Sequence, residues 1–297
     1  ATALAVMLLV QEGRLSLDAS LAAVLPIMAE TDKDGVTIRQ LLCHCSGWPA
    51  WQPYFEQLRS LPEKDRRHRL AQILAVEPLI ATPGTASLYS DLDYLTLGLV
   101  VEKRTGMRLD RFVQQEIYAP LGIRELFFNA LDASPVPRNY AATERCAWRG
   151  GVLSGAVHDD NAYVLNGVAG HAGLFGTARA VFALLRALLA AYCKETPSGL
   201  FASGQVRTFW TSSDASGWTL GFDTPSKQGS SSGTYFSPNS IGHLGFTGTS
   251  FWTDIERRIT IILLTNRVHP SRATEKIRAF RPRIHDEIMN GLLNLAD

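Results

Sequence analysis

The sequence has little of what marks disulfide-rich, nucleic-acid-binding or membrane-spanning proteins. Its 297 residues include only four cysteines, at irregular spacings, so we expect no framework of disulfides. The net charge is +1, which gives no reason to expect nucleic acid or an anionic membrane as a partner. No apolar run approaches the roughly 18 residues of a membrane span. With 46% hydrophobic residues, the composition is typical of a globular protein with a sizeable core.

The cysteines carry little further information about metal or location. The stretch Cys43-His44-Cys45 contains metal-binding residue types, but no second pair of ligands follows at zinc spacing, so we expect no metal there. Cysteines without disulfide spacing weakly favour a cytoplasmic location and leave a periplasmic one open. The oligomeric state has no signal in the sequence.

One stretch has a polar pattern at a predicted junction between a loop and a helix. Leu88 to Tyr94 follows the turn signal Thr82-Pro83-Gly84-Thr85 and opens an apolar run, Leu92 to Lys103, that Gly106 ends. Such a junction can direct side chains into a cleft. The simpler interpretation is a helix N-cap made by Ser90 or Asp91.

A second stretch, Ser240 to Trp252, is rich in glycine and aromatic residues and precedes the β-branched run Arg258 to Leu264. The pattern predicts a strand, a turn and further strands. Glycine within a strand often marks the close approach of a ligand or of another backbone.

Together the two stretches resemble the serine β-lactamase and penicillin-binding-protein superfamily, and most closely its class C β-lactamases and esterases. That superfamily uses Ser-x-x-Lys, then Tyr-x-Asn or Ser-x-Asn, then Lys-Thr-Gly or His-x-Gly. Tyr89-Ser90-Asp91 matches the second motif, with Asp in place of Asn. His243-Leu244-Gly245 matches the third motif in its His-x-Gly form.

The first motif does not occur in these 297 residues. In the family, Ser-x-x-Lys opens a helix whose ending resembles Leu9 to Asp18. The resemblance therefore implies a nucleophilic serine and its lysine just upstream of Ala1, and a chain that is a fragment without the first strands of the sheet. On this basis we expect the 297 residues alone to be inactive.

The resemblance also assigns roles and a substrate class. It implies that Tyr89 belongs to the proton relay, that Asp91 orients substrate or lysine, and that the N–H of Phe246, next to Gly245, completes an oxyanion hole. His243 replaces the lysine that often meets a substrate carboxylate, which would give a weaker, pH-dependent contact. The expected substrate is a small ester, amide or β-lactam, with no cofactor. Because an ionised Asp only accepts hydrogen bonds, ester cleavage is the more secure expectation.

Two other functions are compatible with the sequence. His158, Asp159 and His171 could form the metal site of a hydrolase of another class, although their spacing fits no standard template. The same cleft could also bind a cell-wall or acyl ligand without turnover. By contrast, Gly229 to Gly233 formally matches a Gly-x-Ser-x-Gly elbow, but its Gly/Ser-rich surroundings predict a loop.

The predicted fold class is α/β, with an antiparallel sheet flanked by helices. Residues 1–36 and 201–297 would form the sheet domain, and residues 37–200 an inserted, mostly helical domain, with the site in the cleft between them. Predicted strands are Trp218 to Asp223, Gly242 to Asp254 and Arg258 to Asn266. Thr274 to Leu295 is predicted to be helical, with a kink or restart at Pro282.

Overall fold

The computed structural model describes residues 1–134, 137–195, 199–211 and 218–294. Helices account for most of the regular structure in these ranges. A 3₁₀ turn, Pro26–Met28, follows the second helix, and a π-helical segment, Gln114–Tyr118, extends the seventh. The α-helices are α1 Thr2–Gln11, α2 Leu21–Val24, α3 Ile38–Leu42, α4 Phe55–Leu58, α5 Glu63–Val76, α6 Asp91–Thr105, α7 Leu109–Val113, α8 Asp160–Val164, α9 Ala178–Tyr192, α10 Ser203–Trp210 and α11 Ile277–Asn294.

The main sheet lies near the end of the chain and is antiparallel, in the order β5-β6-β7. Two smaller antiparallel pairs, β1 with β4 and β2 with β3, lie earlier in the chain. Sheet and helices together make the mixed α/β fold that was predicted. The strands are β1 Leu126–Phe128, β2 Arg145–Cys146, β3 Gly151–Val152, β4 Leu174–Gly176, β5 Ile241–Leu244, β6 Ser250–Asp254 and β7 Ile259–Leu263.

Helix α1 is buried on every side. Eight of its ten residues are buried, from Thr2 to Leu9, as expected for a segment without a polar face. It packs against α6, α7 and α10. The chain then turns at Gly13, whose φ of +69° suits glycine. Helix α1 is thus a largely buried helix with a glycine just beyond its end.

Helix α6 places the first of the two sequence motifs. Ser90 is its N-cap and accepts a hydrogen bond from the N–H of Leu92, so the simpler interpretation of this residue is also correct. Gly106, in the left-handed conformation, ends the helix as predicted. Because Tyr89 precedes the cap, its side chain lies outside the helix and is free to reach across the cleft.

Two predicted elements differ from the structure. Trp218 and Asp223 form a single β-bridge rather than a strand, because the chain reverses between them at Gly221, whose φ is +91°. Helix α11 begins at Ile277 and continues through Pro282 without a restart. Pro282 lacks only one N–H, and burial on either side of it holds the helix together.

Other features of the chain agree with expectation. Gly229 to Gly233 lies in turns with no helix after it, so it is not a nucleophile elbow. None of the four cysteines forms a disulfide bond in the structure. No helix in the described ranges is long and apolar enough to cross a bilayer. The division into a sheet domain and an inserted helical domain stays a prediction.

Candidate active site

The structure brings the two sequence motifs together in one cluster of rings. The centroid of the Tyr89 ring is 6.1 Å from that of His243. Trp218 packs beside both rings, 5.6 Å from Tyr89 and 6.2 Å from His243. His44 lies 4.5 Å from Tyr89 and 5.0 Å from Trp218. The cluster joins residues up to 199 positions apart, from His44 to His243.

His44 organises the loop that carries Tyr89. Its Nδ1 accepts a hydrogen bond from the N–H of Ser90 at 3.1 Å and lies 3.3 Å from Oδ2 of Asp93. Burial lowers the pKa of His44 to about 4 and raises that of Asp93 well above its ordinary value. His44 is therefore neutral near pH 7, and its contacts with Ser90 and Asp93 fit a structural role.

Tyr89 lies in surroundings that favour its protonated form. Burial raises the pKa of Tyr89, and the negative charges of Asp91 and Asp223 raise it further. A phenol in such a position can act as a base only if a cation offsets these charges. A positively charged partner next to Tyr89 would therefore lower the pKa of this phenol.

Asp91 belongs to a group of three ionisable residues. Its carboxylate, that of Asp159 and the imidazole of His171 have ligand atoms within 4.8 Å of one another. His171 Nε2 is 2.8 Å from Asp159 Oδ1. Burial lowers the pKa of His171, but the charge and hydrogen bond of Asp159 raise it more, to about 8. A protonated imidazole cannot ligate a metal, so His171 itself supplies the positive charge between these carboxylates.

The metal site that the sequence suggested is not assembled as proposed. Of its three residues, Asp159 and His171 are together, but His158 points elsewhere. His158 Nε2 is 2.9 Å from Oε2 of Glu144, and its ring stacks on Phe246 at 5.7 Å. Within the described ranges, the residues close enough to share an ion are Asp91, Asp159 and His171. The suggestion failed because spacing along a loop does not fix side-chain direction.

The tautomer of His243 follows from its hydrogen bond. Nδ1 is 2.8 Å from the carbonyl oxygen of Leu244, which can only accept, so Nδ1 carries the proton. Burial lowers the pKa of His243 to about 4, so the ring is neutral near pH 7. Its Nε2 is consequently an acceptor, which suits a substrate N–H or O–H group and opposes a carboxylate.

A tight turn follows His243 and presents Phe246. The N–H of Gly245 donates to the carbonyl of Thr249 at 2.8 Å, and the N–H of Gly248 donates to the carbonyl of Gly245 at 3.0 Å. A Cβ at Gly245 would collide with Oγ1 of Thr249, so only glycine fits there. Phe246 is 60% exposed at the tip of this turn.

Two residues of the cleft had no signal in the sequence. Trp218 and Asp223 were predicted to lie in an ordinary strand. Asp223 instead bridges to Gly242, next to His243, and burial raises the pKa of its carboxyl to about 6. Only the pairing of residues far apart in sequence places this carboxyl beside Tyr89.

The chain is similar to known proteins over most of its length. The β-lactamase family model matches residues 1–281. A protein of Escherichia coli (strain K12) named "Putative D-alanyl-D-alanine carboxypeptidase" is 35% identical over 297 residues, covering 91% of this chain and 67% of that protein. An N-acetylmuramyl-L-alanine amidase of Bacillus subtilis (strain 168) is 33% identical, covering 91% of this chain and 66% of that protein. The chain thus spans about two-thirds of the length of these curated relatives.

Solved structures share the fold. The crystal structure of SurE has a TM-score of 0.65 at 26% identity, covering 93% of this chain and 59% of SurE. A penicillin-binding protein from Bacillus halodurans has a TM-score of 0.64 at 21% identity, covering 89% of this chain and 78% of its own. EstCE1, a hydrolase with promiscuous acyltransferase activity, has a TM-score of 0.65 at 21% identity, covering 95% of this chain and 82% of its own.

Proposed function

This chain belongs to the β-lactamase family, and from that premise we propose that it forms most of a serine hydrolase site whose nucleophile lies upstream of Ala1. Its curated relatives are named as a putative D-alanyl-D-alanine carboxypeptidase and an N-acetylmuramyl-L-alanine amidase, and the structural neighbour EstCE1 as a hydrolase with promiscuous acyltransferase activity. The nucleophile, the substrate and the roles of individual residues are the parts that we propose.

The observation that carries the proposal is that the first residues of helix α1 contact the segments that hold His171 and Asp223. Thr2 Oγ1 donates to the carbonyl of Gly170, next to His171, at 2.6 Å. Ala3 lies against Gly221, in the turn between Trp218 and Asp223. The backbone nitrogen of Ala1 is buried and lies close to His243. One further helical turn would place a Ser-x-x-Lys among the clustered side chains, since a turn rises about 5.4 Å.

In the proposed reaction Tyr89 is ionised to the phenolate beside the lysine, and it takes the proton of the serine as the serine Oγ attacks the carbonyl carbon of the substrate. The tetrahedral intermediate then collapses as the leaving oxygen takes a proton from Tyr89, and water hydrolyses the acyl-enzyme by the reverse transfers. The lysine would offset the charges of Asp91 and Asp223, which otherwise keep the phenol protonated. Asp91 and His171 would hold that lysine in place.

The charges of the cleft support a substrate without a carboxylate near His243. Asp91 and Asp223 bring negative charge, and the free nitrogen of His243 is an acceptor. A carboxylate at this position would meet repulsion instead of the cation that the family often provides. We therefore propose a neutral or amine-bearing ester or amide as substrate, with ester cleavage as the first activity to assay.

The experiment that tests this function compares two proteins. The 297-residue chain and the full-length protein, with its natural upstream residues, are assayed on a neutral short-chain nitrophenyl ester. We expect a Ser-x-x-Lys in the upstream segment, turnover by the full-length protein, and loss of turnover when that serine is replaced by alanine. Steady turnover by the 297 residues alone, abolished by Tyr89→Phe, would contradict the proposal, as would an upstream segment without the motif.

A further inference from the structure

An arginine of the last helix holds the turn that presents Phe246. Arg281 of α11 reaches the turn between β5 and β6, where its Nη2 donates to the carbonyl of Gly245 and to that of Thr249, each at 2.8 Å. The residue is 7% exposed. No carboxylate pairs with it in the described part of the chain, so backbone carbonyls take the place of a counter-ion.

These two contacts fix both ends of the turn. The carbonyl of Thr249 already accepts from the N–H of Gly245, and the carbonyl of Gly245 accepts from the N–H of Gly248. The guanidinium therefore adds two more hydrogen bonds to this turn of five residues, whose other carbonyls accept from Arg267 and Thr265. Because its donors are held in a rigid plane, a guanidinium restrains direction as well as distance.

The carbonyl of Gly245 and the N–H of Phe246 belong to one peptide group. That group is planar and trans, so its C=O and N–H point in opposite directions. Arg281 and Gly248 draw the oxygen toward the interior of the turn, which turns the N–H of Phe246 away from it. Among the described residues this N–H has no hydrogen-bond partner, so it is available to a ligand.

We infer that Arg281 is a positioning residue for the oxyanion hole: by binding the carbonyl of Gly245 it aims the N–H of Phe246 at the substrate oxygen. The inference rests on the proposed function, in which that N–H stabilises the tetrahedral intermediate. A positively charged guanidinium bound to the carbonyl oxygen also polarises the peptide group, and this strengthens the N–H of Phe246 as a hydrogen-bond donor. Both effects act mainly in the transition state, where negative charge develops on the substrate oxygen.

The test uses the full-length protein with Arg281→Lys and Arg281→Met, and Arg278→Lys as the matched control. Arg278 lies one turn earlier in α11, with a side chain that is 77% exposed. We expect kcat to fall roughly tenfold in Arg281→Lys and roughly 10²-fold in Arg281→Met, with KM little changed, because removal of one oxyanion donor costs about 10²–10³ in kcat. Added guanidinium should restore part of the activity of Arg281→Met, and Arg278→Lys should behave as the wild type.

A second measurement does not depend on turnover. In the isotopically labelled full-length protein, Arg281→Met should shift the amide resonance of Phe246 and speed the hydrogen exchange of the Gly245 and Gly248 amides, which are hydrogen-bonded within the turn. The amides of α6 should keep their protection. Normal kcat in both Arg281 variants, or an unchanged Phe246 amide, would overturn the inference. Full activity in Tyr89→Phe would instead show that the proposed function is wrong. In that case the amide measurement alone tests whether Arg281 positions the N–H of Phe246.

Discussion

The imidazole of His243 and the phenol of Tyr89 lie 6.1 Å apart, centroid to centroid, with their planes inclined at 51°. The two rings differ in the proton that each can move. Tyr89 carries a hydroxyl proton in an environment that raises its pKa, whereas His243 has its proton directed at a backbone carbonyl. In a shared cleft, Tyr89 is therefore suited to proton transfer and His243 to holding the substrate.

Removing the hydroxyl of Tyr89 should affect the chemical step. For Tyr89→Phe in the full-length protein we expect kcat to fall roughly 10²- to 10⁴-fold with KM little changed, the usual worth of general acid–base help. Steady-state kinetics on a neutral ester measure both constants. Tyr235→Phe is the control, because Tyr235 is an exposed residue outside the ring cluster. Near-normal kcat in Tyr89→Phe would mean that the residue only precedes a helix cap.

Replacing His243 should affect substrate binding more than the rate. For His243→Ala we expect a smaller loss than for Tyr89→Phe, seen largely in KM, and no greater for a carboxylate-bearing ester than for a neutral one. The sequence suggested that His243 contacts a substrate carboxylate. In the structure, Nδ1 of His243 donates to the carbonyl of Leu244, so the remaining ring nitrogen, Nε2, can only accept a hydrogen bond from a substrate. A loss confined to carboxylate-bearing esters would restore the original expectation. Parallel assays on a matched pair of esters decide between the two.

Asp91→Asn should change which substrates are accepted. The amide replaces a negative charge by a group that can donate, so a carboxylate in the substrate gains a hydrogen bond and loses a repulsion. We compare kcat/KM for a carboxylate-bearing ester with kcat/KM for a neutral ester. We expect the ratio of the two to rise roughly tenfold or more, because a hydrogen bond to a charged group is worth about 1.5–3 kcal/mol. Asp65→Asn, at an exposed position of α5, is the control. An unchanged ratio would remove Asp91 from the selectivity argument.

The pair of His171 and Asp159 should make stability depend on pH. The pKa of His171 is raised from 6.5 to about 8 in the folded chain, so its contribution is complete below pH 6.5 and is lost as the pH rises through 8. That contribution is about 2 kcal/mol, at 1.36 kcal/mol for each pKa unit. The difference in unfolding free energy between wild type and His171→Gln should therefore be larger at pH 6 than at pH 9.

Urea unfolding at those two pH values measures this difference. His68→Gln is a suitable control, because His68 is exposed on α5. A difference that stays the same or grows on going from pH 6 to pH 9 would show that His171 is held neutral, and would reopen the question of a metal beside Asp91 and Asp159.

Features that depend on neighbours in the sequence were predictable. The cap at Ser90 and the stop at Gly106 are both fixed by contacts within a few residues. The antiparallel strands β5 to β7 also follow from short connections that leave no room for a crossover. The two family motifs are also local patterns, and the resemblance that they indicate predicted the fold class.

Only the tertiary structure decided how distant residues face one another. Asp223 lies beside Tyr89 because it forms a β-bridge with Gly242. His158 contacts Glu144 and is not part of the cluster of Asp91, Asp159 and His171. No periodicity encodes such pairings. They depend on which way a side chain leaves its loop, and therefore on the packing of the whole chain. The same holds for Arg281, whose buried charge has meaning only when the carbonyls of a turn 32 to 36 residues away come within reach. The sequence by itself therefore determined the family, the elements and the motif residues, and the packing determined the charges and hydrogen bonds that surround them.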